Sequence, residues 1–227
     1  MILAHATYAE AAETAKCGSD CTVDAGAACG LRVRDGEACY ILNPQGNLPT
    51  SQTKLEPLLR KTCGSTGAIV DPGSRPSRQQ FRDALQQAEL FIYAGHNSGE
   101  EFEHRYHISR LPHCATSLMM GCNSVRLDEN GVYEAQGFIS SYLAAGCPAV
   151  VGALWEVGDV DTDEFTKNVL CKCHGEEQRL DHAVAAYRRP GPRNAATHAA
   201  LVYYGVPLRL DWRSTGMPKR LDLDDAE

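Results

Sequence analysis

Glu89-Leu90-Phe91-Ile92-Tyr93-Ala94-Gly95-His96-Asn97-Ser98-Gly99 and, further along, Thr116-Ser117-Leu118-Met119-Met120-Gly121-Cys122-Asn123-Ser124 follow one pattern. Each begins as an apolar run too short for a helix and rich in residues that suit a buried strand. Each stops at a glycine, and the next residue is chemically active: His96 in one, Cys122 in the other. Helical patterns lie between runs of this kind, so parallel strands are the economical reading. In an open parallel sheet, ligands bind outside the carboxyl ends of the strands. If the two strands are neighbours, imidazole and thiol meet over one sheet edge, as a Cys–His nucleophilic pair requires. A lone buried Cys is ordinarily a small core residue. Two active side chains in matching positions point instead to function.

Working outward, Cys39 to Leu42 reads as a strand and Asn43-Pro44-Gln45-Gly46-Asn47 as a turn. Thr53 to Arg60 is a short helix interrupted by Pro57, and Gly67 to Val70 is a further strand. Ser77-Arg78-Gln79-Gln80 has the form of a capping box, after which Phe81, Ala84, Leu85 and Ala88 recur at helical spacing. That helix leads into the His96 strand, a right-handed crossover between parallel strands. Past Cys122, Val125 to Gln136 reads as a loop with a turn at Asp128 to Gly131, and Phe138 to Ala145 as a helix ended by Gly146. Ala149 to Leu154 is another core strand. A helix then runs to Leu170, and two more cover Asp181 to Arg188 and Asn194 to Tyr204. The fold class expected is α/β: a mostly parallel central sheet flanked by helices. Residues 1–36 read as an N-terminal helix and linker, 37–212 as the folded domain, and 213–227 as a polar tail.

Twenty-nine acidic against 22 basic residues leave a net charge of −7. That balance disfavours non-specific nucleic-acid binding, which relies on clustered Lys and Arg, and suits a basic substrate. No apolar run is long enough to span a bilayer, and the start of the chain is a poor signal peptide, so an intracellular setting is expected. Its ten cysteines are expected to be reduced. Neither Cys17, Cys21 and Cys29, nor Cys171, Cys173 and His174, nor the His- and Glu-rich stretch Glu100 to His113 has the spacing of a metal motif, and no cofactor is expected.

After Trp155 come Glu156, Asp159, Asp161, Asp163 and Glu164. Carboxylates suit the first turn of a helix. This run also starts at the carboxyl end of a core strand, where some of them would line a pocket for a basic side chain and hold it by charge-assisted hydrogen bonds.

Tyr93-Ala94-Gly95-His96-x-Ser98-Gly99-Glu100, Met120-Gly121-Cys122-x-Ser124 and Tyr142 to Val157 together resemble the protease domain of separase, a caspase-clan cysteine endopeptidase. The likeness extends to Tyr40-Ile41-Leu42-Asn43-Pro44 and Tyr203-Tyr204-Gly205-Val206-Pro207, about residues 37 to 210. It implies a caspase-like three-layer sandwich, with Cys122 as nucleophile, His96 as acid–base partner and an oxyanion hole from the backbone at Cys122, Asn97 and Gly95. It implies cleavage after arginine in acidic-x-x-Arg sites, with Asp163 matching the family's arginine-binding aspartate, Asp161 next, Asp159 in the same run and Trp155 as an apolar wall. It also implies the kleisin subunit of cohesin as substrate, a securin-like inhibitory chaperone, a long helical region preceding this domain, and action in cytoplasm and nucleus, on chromosomes in mitosis. Two positions depart from the pattern: His96-Asn97 stands for the usual His-Gly and Cys122-Asn123 for Cys-Ser, and asparagine is among the residues that tolerate a positive φ. Glu176-Glu177-Gln178-Arg179 matches the cleaved pattern, which raises self-cleavage after Arg179. Other caspase-clan peptidases, a silent peptide-binding module of this fold and a Cys/His metal protein are the competing readings.

Overall fold

A computed structural model describes residues 38–63, 69, 71–175, 178–188 and 195–210. The expected N-terminal helix, Cys17, Cys21, Cys29, most of the 67–70 strand, Glu176-Glu177 and the tail lie outside the described residues. Five strands form the central sheet in the order β1-β2-β3-β6-β7. They are β1 (Ala38–Leu42), β2 (Leu90–Ala94), β3 (Thr116–Met119), β6 (Ala149–Ala153) and β7 (Leu201–Gly205). The first four run parallel, with Tyr93 opposite Met119 and Met119 opposite Gly152, while β7 is antiparallel to β6. Ile69 adds a parallel bridge to Ile41 at the outer edge of β1.

Alternation along the strands divides the core in two. Tyr40, Leu42, Ile92 and Val151 face one layer, formed by α1 (Pro49–Cys63), α5 (Asp159–Gly175) and α6 (Leu180–Tyr187). Ile41, Phe91, Tyr93 and Val150 face the other, formed by α2 (Arg78–Gln87), α3 (Arg105–Ile108) and α4 (Phe138–Ala144). This is the expected three-layer α/β sandwich. The start of α2 is set by the expected capping box: Ser77 Oγ accepts from the Gln80 amide at 3.2 Å and Gln80 Oε1 from the Ser77 amide at 2.9 Å.

Several local expectations are corrected. Asn194 to Tyr204 is not one helix: α7 (Ala195–Ala200) ends where Leu201-Val202-Tyr203-Tyr204, apolar and aromatic, closes the free edge of β6 as β7. The loop after Cys122 contains a hairpin, β4 (Asp128–Asn130) and β5 (Tyr133–Gln136), turned at Gly131, whose φ is +61°. The family resemblance implies a hairpin strand at Tyr106 to Arg110; the segment instead begins within α3, capped by His104 accepting from the Tyr106 amide at 3.2 Å. Helix α1 extends beyond both expected ends and carries Pro57 inside it. Helix α5 runs past Leu170, so Cys171, Cys173 and His174 form its last turn rather than a loop, and Cys173 is buried. Among the described residues no helix is long and apolar enough to cross a membrane.

Candidate active site

Strands β2 and β3 end side by side, and their turns are built alike. Gly95-His96-Asn97 follows β2, and Gly121-Cys122-Asn123 follows Met120 at the end of β3. Asn97 and Asn123 both take the left-handed conformation, with φ of +52° and +56°. Asparagine thus supplies at residue 97 what the family's glycine would supply, and holds the same backbone conformation at residue 123. The two turns touch through their backbones. A Cβ on Gly121 would lie 2.1 Å from the Asn97 carbonyl oxygen and 2.8 Å from the Gly95 oxygen, so only glycine allows this approach.

Each active side chain is then held from outside its own turn. Cys122 is half-buried, and its thiol donates to the Val157 carbonyl at 3.1 Å. Behind it, Ser124 Oγ donates to the Met119 carbonyl at 2.6 Å and accepts from the Ala153 amide at 3.0 Å, stitching the turn to β6. His96 Nε2 lies 3.0 Å from Asn47 Oδ1, and the His96 carbonyl accepts from the Tyr93 hydroxyl at 2.8 Å. His96 and Cys122 line one small cleft together with Ser51, Val157, Asp159 and Asp163. Among the described residues neither the Asn97 nor the Cys122 amide donates to a backbone carbonyl.

The acidic run divides by helical phase. Asp159 and Asp163, one turn apart in α5, face the cleft. Asp161 points away and accepts from Thr197 Oγ1 at 3.3 Å, so it is not the second cleft carboxylate it was expected to be. Trp155 is exposed, and the cleft lining does not include it. Asp163 is buried, and Ser51 Oγ donates to its Oδ2 at 3.1 Å. Burial raises its pKa and the Asp159 charge adds to that, while the Ser51 hydrogen bond and Lys54 oppose it.

In the His- and Glu-rich stretch, the buried Glu103 is bound by Arg82 at 2.6 Å and His107 at 2.8 Å, a pin from α3 to α2. Asn47, Ser51 and the Tyr93 hydroxyl were not singled out from sequence. Asn47 was legible only as part of a turn, although that turn follows β1 at the same sheet edge as both active residues.

The chain matches the family model "Separin, protease domain" over residues 5–162. It is 39% identical to separin of Emericella nidulans over 181 residues, 74% of this chain and 9% of that protein. Over 173 residues it is 35% identical to mouse separin, 75% of this chain and 8% of that one. The fold superimposes on the crystal structure of the Saccharomyces cerevisiae separase–securin complex with a TM-score of 0.72 at 29% identity, over 79% of this chain and 13% of the solved one. The chain therefore spans about a tenth of the relatives it matches.

Proposed function

We propose, from the premise that this chain belongs to the separin protease-domain family, that it is the catalytic part of a cysteine endopeptidase that cuts after arginine. The observation that carries this reading is the single cleft shared by Cys122, His96 and Asp163. In the proposed reaction, His96 takes the thiol proton and the Cys122 thiolate attacks the scissile carbonyl, forming the C–S bond. The oxyanion is met by the free amides of Cys122 and Asn97, with the Gly95 backbone beside them. The imidazolium gives its proton to the leaving nitrogen as the C–N bond breaks. Water, deprotonated by the same imidazole, then attacks the acyl-enzyme; the C–S bond breaks, the acid product leaves, and the proton returns to sulfur.

Asp163 receives the arginine guanidinium at the floor of the cleft, with Asp159 nearer the mouth. An empty site leaves that carboxylate buried with a hydroxyl partner, and a bidentate guanidinium is the ligand that best compensates its lost hydration. The relative solved with securin supports a securin-like partner, and we extend the proposal to inhibition by a segment of that partner lying in this cleft. We extend the proposal to a cohesin kleisin as substrate, and to action in the cytoplasm and nucleus, at chromosomes in mitosis. The test is hydrolysis of an arginine-terminated fluorogenic peptide. The wild type turns it over, and Cys122→Ser does not; equal turnover by the two would refute the assignment.

A further inference from the structure

We propose that Asn47 is a positioning residue for His96, fixing the imidazole in the tautomer whose Nδ1 is free to take the thiol proton. This deepens the reading of Cys122 and His96 as the reacting pair and rests on it, adding a third group from a different strand end. An amide oxygen only accepts, so the 3.0 Å contact between Asn47 Oδ1 and His96 Nε2 requires the hydrogen on Nε2. The neutral ring then keeps its lone pair on Nδ1, the nitrogen left for the thiol. The other tautomer would set two lone pairs against each other at Asn47 and offer the thiol an N–H that takes no proton.

The loop that carries Asn47 is built to hold it there. Asn43 sits buried at φ +49°, its amide donating to the Ala94 carbonyl at 2.8 Å. Its side-chain oxygen accepts from the Leu48 amide at 2.9 Å, and its carbonyl from the Gly46 amide at 3.0 Å. Gly46, at φ +77°, packs so tightly on Gly73 that a Cβ would lie 3.1 Å from Gly73 Cα. Leu48 is buried. Asn47 is therefore fixed on both sides by its neighbours, and its carboxamide is left for the ring. The same loop also supports the backbone of the histidine: Gln45 Nε2 donates at 3.2 Å to the Tyr93 hydroxyl that holds the His96 carbonyl.

The ionisable groups sharing space with His96 are Cys122, Asp159 and Asp163 in the main cleft, and Glu100 and Glu101 in the hollow adjoining it. All are retained when only residue 47 is changed. The experiment uses the full chain and the arginine-terminated peptide, with Asn47→Ala and Asn47→Asp beside His96→Ala. Asn47→Ala is expected to lower kcat on the order of 10²-fold with KM nearly unchanged, because a misoriented base affects the chemical step rather than binding. Asn47→Asp restores most of that loss and moves the acid limb of the pH profile upward, since the neutral imidazole is the active form and a carboxylate holds the imidazolium to higher pH. Ring 15N NMR of the histidines shows the Nε2–H tautomer in the wild type and a mixture in Asn47→Ala. Unchanged kcat, pH profile and tautomer in Asn47→Ala would overturn the proposal, as would equal impairment by Ala and Asp with no shift of the limb. An active His96→Ala would instead remove the reading beneath it; an inactive His96→Ala beside a normal Asn47→Ala sinks the Asn47 proposal alone.

Discussion

Cysteines stand at both ends of the same sheet, and the two ends treat them differently. Just before β3 and β6, at the amino end, Cys114 and Cys147 are buried. The Cys147 thiol has two carbonyl acceptors in reach of its one hydrogen, Ala115 at 2.8 Å and Ala149 at 3.1 Å. The hydrogen bond with Cys147, followed by burial, pushes the Cys114 thiol far up. Just past β3, at the carboxyl end, Cys122 is half-buried, lines a small cleft and shares it with an imidazole. Burial also pushes Cys39 up to about 11 and Cys63 up to about 12. Residue type therefore does not separate these thiols; burial and place on the sheet do. Parallel strands concentrate turns, free amides and clefts at their carboxyl ends, whereas apolar packing closes around the thiols at the amino end.

The sharpest way to break this contrast is to change what the carboxyl end binds. Asp163→Asn should lower kcat/KM for arginine peptides roughly 100-fold, the loss of one charge-assisted bond pair at about 1.5–3 kcal/mol. The same variant should make the unliganded protein more stable at pH 7. The sign follows from the raised carboxyl pKa: the folded state favours the protonated acid, so Asp163 stabilises at acid pH and loses that contribution as pH rises. Denaturant melts at pH 7 check the second effect, and lowered stability would contradict it.

Gly121→Ala attacks the meeting of the two turns. A Cβ 2.1 Å from the Asn97 oxygen forces them apart, so about 1–3 kcal/mol of stability should go, together with most turnover. Full activity in that variant would mean that the close approach is irrelevant.

Glu103→Gln should remove about 1–3 kcal/mol at neutral pH through the Arg82 and His107 contacts. Burial alone would raise the Glu103 carboxyl. The His107 hydrogen bond, the His104 amide and the Arg82 charge outweigh it and hold the group below its ordinary value. Its contribution is thus present above the usual carboxylate range and fades as pH falls through the lowered pKa, so the variant and wild type should converge in acid denaturation profiles.

The smallest effect belongs to the amino end. Cys147→Ala should lower stability by about 1 kcal/mol and leave peptide turnover unchanged, checked by denaturant melts and the fluorogenic assay. Lost turnover there would collapse the distinction between the two ends.

The strands of His96 and Cys122 were legible in sequence because each signal is local: an apolar run, a glycine, an active residue. What escaped was set by distance or by context. Asn47 reaches His96 from another strand end across 49 positions, and no periodicity marks it. Leu201 to Gly205 is a strand because β6 offers an unpaired edge there, which the segment itself does not declare. The acidic run alone makes Asp161 the next candidate after Asp163, yet helical phase separates them: residues four apart share a face and residues two apart do not. Asn130-Gly131 marks the hairpin turn, but the flanking segments are mostly polar and exposed, with no buried face to mark them as strands.

The most direct test of the pairing of Cys122 with His96 is covalent labelling by an arginine acyloxymethyl ketone, mapped by peptide mass spectrometry. Modification at Cys122 should be stoichiometric and lost in His96→Ala, with Cys114 and Cys147 unlabelled. Label on another cysteine, or undiminished labelling of Cys122 in His96→Ala, would contradict that pairing.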